Sequence, residues 1–179
     1  MKKLLTGLLA ITCFVACKNA GNENNSDAAN ANAEKTKKVY HAIETGDTKG
    51  LDSIFSNDCV DHNAGPKGED VTGAANVIAE LGKIHNYFDG LKMELLEHAT
   101  STDGMYHFAT VRMTGTAKEN PWGMPPGMKM DNTSVDLVKM KDGKCTEHWG
   151  FMSQKDVNDM MKGMMGGNKP PMDSAAHKK

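Results

Sequence analysis

Near the C-terminal end, a carboxylate, an imidazole and an indole stand on consecutive residues, Glu147-His148-Trp149, just after the dipeptide Asp142-Gly143. A carboxylate beside an imidazole is the usual equipment for moving protons, and a second such pair, Asp61-His62, stands upstream. Asp-Gly between two apolar-alternating runs predicts a hairpin, because glycine tolerates the positive φ of its turn. On the strand that follows, Glu147, Trp149 and Phe151 share one face and Thr146, His148 and Gly150 the other. Glu147 beside an aromatic wall is therefore a candidate acid or base whose pKa would rise on desolvation. Its competing use is a sheet-edge ion pair, for instance with Arg112.

His62 is the candidate partner base, oriented by Asp61 or another carboxylate; equally, its ring can serve as a structural hydrogen-bonding group. His148, of opposite parity, is expected to face the helices or solvent. His85 lies on an apolar stripe and reads as a core histidine. Arg112 and Asp136 sit in mid-strand, where an inward charge needs a partner or a solvated cavity and an outward one needs neither.

The elements that must position these residues follow from periodicity. Val39, Ala42 and Ile43, then Leu51, Ile54 and Phe55, predict two short amphipathic helices separated at Gly46-Asp47. Residues 58–63 read as a short strand or loop. Val71, Ala74, Ile78, Leu81, His85 and Phe88 form the stripe of one longer helix ended by Gly90. Strand-like runs follow at 91–98, 105–116, 133–140 and 145–152, and a last helix starts at Ser153 with Asp156 completing a capping box. Helices first and strands afterwards predict an α+β domain over residues 34–165.

The N-terminus carries an address. Lys2-Lys3 and the apolar run Leu4 to Val15 have the form of a signal sequence, too short to span a bilayer. Its end, Phe14-Val15-Ala16-Cys17, resembles a bacterial lipoprotein box. That resemblance implies a signal peptide over 1–16, an acylated Cys17 and attachment to the cell envelope. Lys18 after the cysteine favours the outer membrane. Residues 17–33, dominated by Asn, Ala and Gly, read as a flexible tether, and 166–179 as a disordered tail. Cys59 and Cys145 remain, most simply as two buried thiols, with a disulfide as the alternative.

Four segments in order resemble the SnoaL-like branch of the NTF2-like superfamily, known for polyketide and ester cyclases. They are Val60-Asp61-His62-Asn63, Val111-Arg112-Met113-Thr114-Gly115-Thr116, the Gly-Met-Pro-Pro-Gly segment at 123–127, and Asp142-Gly143-Lys144 with Glu147-His148-Trp149. The resemblance implies a curved, mainly antiparallel sheet wrapped with helices around a cone-shaped pocket. It implies a wall contributed by Trp122, Trp149, Phe108 and Met124, with Arg112 and Asp136 as polar contacts. It also implies dimerisation through the sheet. In that family the Glu-x-Trp strand continues to an acid; here the position holds Ser153, which cannot replace a carboxylate in proton transfer.

The net charge of −2 and the scattered basic residues exclude a nucleic-acid surface. No nucleotide fingerprint, zinc-protease motif or nucleophile elbow is present, and no cofactor is implied. The 14 methionines, among them Met124, Met128, Met130, Met160, Met161, Met164 and Met165, suit an adaptable apolar lining or, alternatively, Cu(I) binding through thioethers. Three functions are thus expected: binding of a small apolar molecule, with or without acid/base turnover by His62 and Glu147, a non-catalytic assembly module, or copper handling.

Overall fold

The computed structural model describes residues 20–166 apart from 63, 66, 67 and 121. The expected signal peptide, Cys17 and all but the first residue of the tail lie outside these residues.

The tether expected over 17–33 differs from the structure, because α1 runs over Ala20–Thr45. Alanine is the best helix former, and the Ala-rich segment continues the helix backwards from its packed half. Asn32 and Ala33 are buried, and Lys35 Nζ donates to the Gly143 carbonyl at 2.6 Å, fastening α1 to the Asp142-Gly143 turn. Gly46 ends the helix at φ 78°, its N–H donating to Ala42 O at 2.8 Å. A Cβ there would overlap the His85 ring.

The second expected helix is one 3-10 turn, Leu51–Ser53, leading into β1 (Phe55–Asp61). The longer helix expected over 71–88 is divided. Val71–Thr72 forms β2 and pairs antiparallel with β1, the helix proper is α2 (Ala74–Leu81), a 3-10 turn covers Ile84–Tyr87, and Phe88 opens the next strand. The strands β3 (Phe88–Thr100), β4 (Tyr106–Ala117), β5 (Lys129–Lys141) and β6 (Lys144–Met152) match the alternating runs, β4 shifted by one residue and the other three reaching somewhat further than expected. Asp142 and Gly143 both have positive φ, as the tight hairpin requires. The last helix, α3, spans Gln154–Gly166, and Ser153 Oγ accepts from the Asp156 N–H at 3.1 Å while donating to its carboxylate.

The sheet order is β2-β1-β6-β5-β4-β3, antiparallel throughout except where β1 runs parallel to β6. The helices pack on one face, called inner below. Tyr40, Ile43, Phe88, Leu91, Val111, Met124 and Met130 form one core cluster there. Leu51, Ile54, Phe55, Cys59, Val77 and Cys145 form a second. Both thiols are free, and burial pushes that of Cys145 up to about 12. Among the described residues no helix is long and apolar enough to cross a membrane.

One irregularity sets the face of every later residue in β6. Met140 pairs with Cys145 but Lys139 pairs with Glu147, so Thr146 is an extra residue, a β-bulge. Its hydroxyl donates to Lys139 O at 3.2 Å. Cys145 and Glu147, two apart, would share a face in a regular strand; the bulge sends Cys145 inward and Glu147 outward.

Candidate functional site

Inward from the bulge comes His148. The parallel register sets Asp61 beside it, and His62 N–H donates to His148 O at 2.9 Å to hold the two strands together there. His148 Nδ1 lies 2.6 Å from Asp61 Oδ1, and Nε2 lies 3.8 Å from Asp136 Oδ1, an ion-pair distance. Asp136 Oδ2 accepts from the Tyr40 hydroxyl of α1 at 2.7 Å. Four elements thus meet in one charged cluster beneath α1. Burial by itself would lower the His148 pKa; the Asp136 and Asp61 carboxylates outweigh it and raise the ring to about 10. His148 is an imidazolium at neutral pH. The Tyr40 hydroxyl is held well above its ordinary value by burial and by the adjacent Asp136 carboxylate.

His62 and Glu147 also meet, at 3.3 Å, but on the outer face, and neither lines the cavity described below. The His62 ring stacks on Trp149 with centroids 4.6 Å apart and planes 12° apart, and Nδ1 lies 3.1 Å from Asp70 Oδ2. Lys139 Nζ donates to Glu147 Oε1 at 2.6 Å. This hydrogen bond, with a second to His62, lowers the Glu147 pKa, opposite to the rise that desolvation would bring. Trp149 is therefore an outer-face platform and not a pocket wall. Arg112 makes a bidentate pair with Asp131, both N–O distances 2.8 Å, on the same exposed face, instead of reaching Glu147. Phe108 is also there, 42% exposed. Of the residues assigned to the pocket by sequence, Asp136 joins the inner cluster, Met124 is buried core, and Trp122 lines a cavity. His148, expected to be peripheral, is central.

Tyr40 and the pairing of Asp61 with His148 are the parts of this cluster that sequence reasoning missed. The available signal was Asp136 itself, a carboxylate in mid-strand among apolar neighbours, which demands a buried partner if it faces inward.

The cavity, of about 50 Å³, lies between the end of β1, α2, the 3-10 turn after it and the loop before β5, lined by Asp61, Ala64, Glu80, Leu81, Ile84, Tyr87 and Trp122. Asn120 shapes that loop: its Oδ1 accepts from the Trp122 and Met124 N–H groups, and its Nδ2 donates to Lys118 O and Met124 O. The Trp122 ring meets Tyr87 edge-on at 5.3 Å. Beyond it the interior is packed with thioethers, Met124 and Met130 buried and Met128, Met160 and Met164 against them. Among the described residues no group of three or more His, Cys, Asp or Glu is placed to hold a metal.

Residues 36–148 match the model of the SnoaL-like domain. No curated protein matches the sequence. Among solved structures, a SnoaL-like polyketide cyclase candidate from Jannaschia sp. CCS1 is 19% identical with a TM-score of 0.62, covering 80% of this chain and 96% of its own. TsrD from Streptomyces laurentii is 16% identical with a TM-score of 0.62 over 75% and 96% of the two chains. An LEH-like epoxide hydrolase of M. tuberculosis is 16% identical with a TM-score of 0.56 over 80% and 93%. At these identities the likeness is one of fold, and it extends over cyclase and hydrolase alike.

The raised His148 pKa has a definite sign in stability. The ring binds its proton more tightly folded than unfolded, so its contribution is fully present below about pH 6.5 and is lost as pH rises through about 10. Urea denaturation of the wild type between pH 6 and 10.5 should show stability falling by a few kcal/mol more than in His148→Gln, which starts lower and lacks this slope. Parallel curves would show that the ring is neutral.

Proposed function

The chain belongs to the SnoaL-like domain family, and on that premise we propose that it binds a small, largely apolar molecule at the cavity walled by Trp122, Tyr87, Leu81 and Ile84, in a protein anchored to the bacterial envelope through Cys17. The observation that carries the reading is Asp61, a carboxylate 8% exposed, which lines an otherwise mostly apolar cavity and is backed by the His148 imidazolium. A few convergent polar groups in an apolar recess are the usual form of a ligand site. The thioethers behind Trp122 are adaptable side chains that can repack around a ligand larger than the present cavity.

Acid/base turnover, where it occurs, belongs to Asp61 and not to the pair His62 and Glu147. Asp61 touches the cavity; His148 holds its other side and, with a pKa near 10, is too reluctant a proton donor to cycle at neutral pH. Binding is the primary reading because the cavity is small and the family's acid position is Ser153, whose hydroxyl is engaged in capping α3.

The outer face favours a second role compatible with the first. Phe108, Val135 and Phe151 are 42%, 39% and 54% exposed on adjacent strands, with Val135 opposite Phe151 in register. Apolar surface of this kind is what association buries, and the reading is a homodimer through the sheet.

Cyclohexanone, as a small apolar probe, should shift the Trp122 indole N–H resonance, and Trp122→Ala should weaken its binding at least about tenfold, while His62→Ala and Glu147→Gln leave it unchanged. Shifts confined to Trp149 would move the site to the outer face. Metabolic labelling with an alkynyl fatty acid should mark the full chain in a bacterial host and be lost in Cys17→Ser; equal labelling of both would remove the anchor. Light scattering should give a dimer mass that Phe151→Glu converts to a monomer, and a monomeric wild type would end the dimer reading.

A further inference from the structure

The charge around the cavity does not balance. Behind it, His148 is the single cation between Asp61 and Asp136 among the described residues. In front, Glu80 takes part in lining the cavity and, among the described residues, pairs with Lys83 at 2.6 Å on the surface. Three carboxylates therefore face two cations. The excess negative charge is concentrated where it is least solvated, at Asp61. Its Oδ1 is taken by His148, and its carboxylate forms part of the cavity lining.

The remaining walls are of a particular kind. Tyr87 and Trp122 meet edge-to-face at 5.3 Å, so the cavity is bounded by electron-rich aromatic surface as well as by a carboxylate. Aromatic faces and a buried carboxylate have one common preference among small ligands, a cation, and a weakly hydrated organic one above an inorganic ion. Size adds a limit. At about one water per 10–15 Å³ on this measure, a cavity of about 50 Å³ holds the equivalent of a few waters, which suits an ammonium head and not a polycyclic body.

We infer that the ligand of this cavity is an organic cation, an amine whose ammonium group sits against Asp61 and beside the Tyr87 and Trp122 rings while its apolar portion extends past Leu81 and Ile84. The inference rests on the small-molecule reading above and narrows it to a chemical class. The ammonium supplies the third positive charge that the cluster lacks, and it does so without displacing His148 from Asp61 Oδ1. An anionic ligand would meet the Asp61 and Glu80 carboxylates at close range, and a neutral one would leave their charge unbalanced.

A matched series decides it: benzylammonium, benzyl alcohol and benzoate, titrated by NMR on the full chain and followed at the Trp122 indole. Benzylammonium should bind at least about tenfold more tightly than benzyl alcohol, and benzoate not at all. Raising NaCl from about 50 to about 500 mM should weaken the amine and leave the alcohol unaffected. Asp61→Asn should bring the amine to parity with the alcohol. Because that substitution removes a partner from a half-buried imidazolium and can unfold the chain, Glu80→Gln, at a half-buried position outside the His148 cluster, is the second variant, with the amine weakened about threefold and the alcohol unchanged. Benzyl alcohol binding as well as the amine, or an amine affinity indifferent to both Glu80→Gln and salt, overturns the cation assignment and leaves the small-molecule site standing. Shifts for no member of the series, and none for cyclohexanone, overturn the site as well.

Discussion

An imidazolium held between two carboxylates is an expensive arrangement to withdraw even partly from water, and in this protein it determines where everything else must be. Each charged group gives up water, a loss of several kcal/mol that only close partners return. His148, Asp61, Asp136 and the Tyr40 hydroxyl are those partners, and they come from β6, β1, β5 and α1. The parallel pairing of β1 with β6, the seating of α1 over the sheet and the register of β5 are therefore mutually constrained: shifting one strand by a residue leaves a carboxylate buried alone. The same geometry puts Asp61 at the cavity, so the group that ties the fold together is also the polar group a ligand meets.

The elements were legible where local physics decides them. The Asp142-Gly143 turn, the four long strands and the Ser153 cap follow from positive φ, alternation and an orphan N–H, and the structure has them. Residues 71–88 were misread as one helix because their apolar spacing fits a helix, while the pairing of Val71 and Thr72 with β1 is a tertiary choice that no local pattern records. The Ala-rich segment before Glu34 has composition suited to a tether; what holds it as helix is Lys35 reaching Gly143, 108 residues away.

The site was half legible for a related reason. Strand parity correctly grouped Glu147 with Trp149 and Phe151 and set His148 apart. Which group faces inward depends on where the helices pack and on Thr146, and neither is visible as a pattern. The family resemblance named the right strand and the right loop, since Trp122 does line the cavity. It could not say that the interior behind Trp122 is filled with methionine, leaving a recess much smaller than a flat polycyclic compound would need.

Thr146 acts on β6 as an inserted letter acts on a reading frame. Upstream of it, phase is set by the hairpin turn; downstream, each side chain is read one step out of that phase. A regular strand of the same sequence, in register with the turn, would carry the Trp149 indole into the interior and turn His148 out to water, exchanging a charged anchor for an apolar one. Asp61 and Asp136 would then be buried without a cation. Single-residue insertions and deletions between the turn and Gly150 should thus be selected against far more strongly than substitutions there, and β6 should have changed its residues over evolutionary time without changing its length.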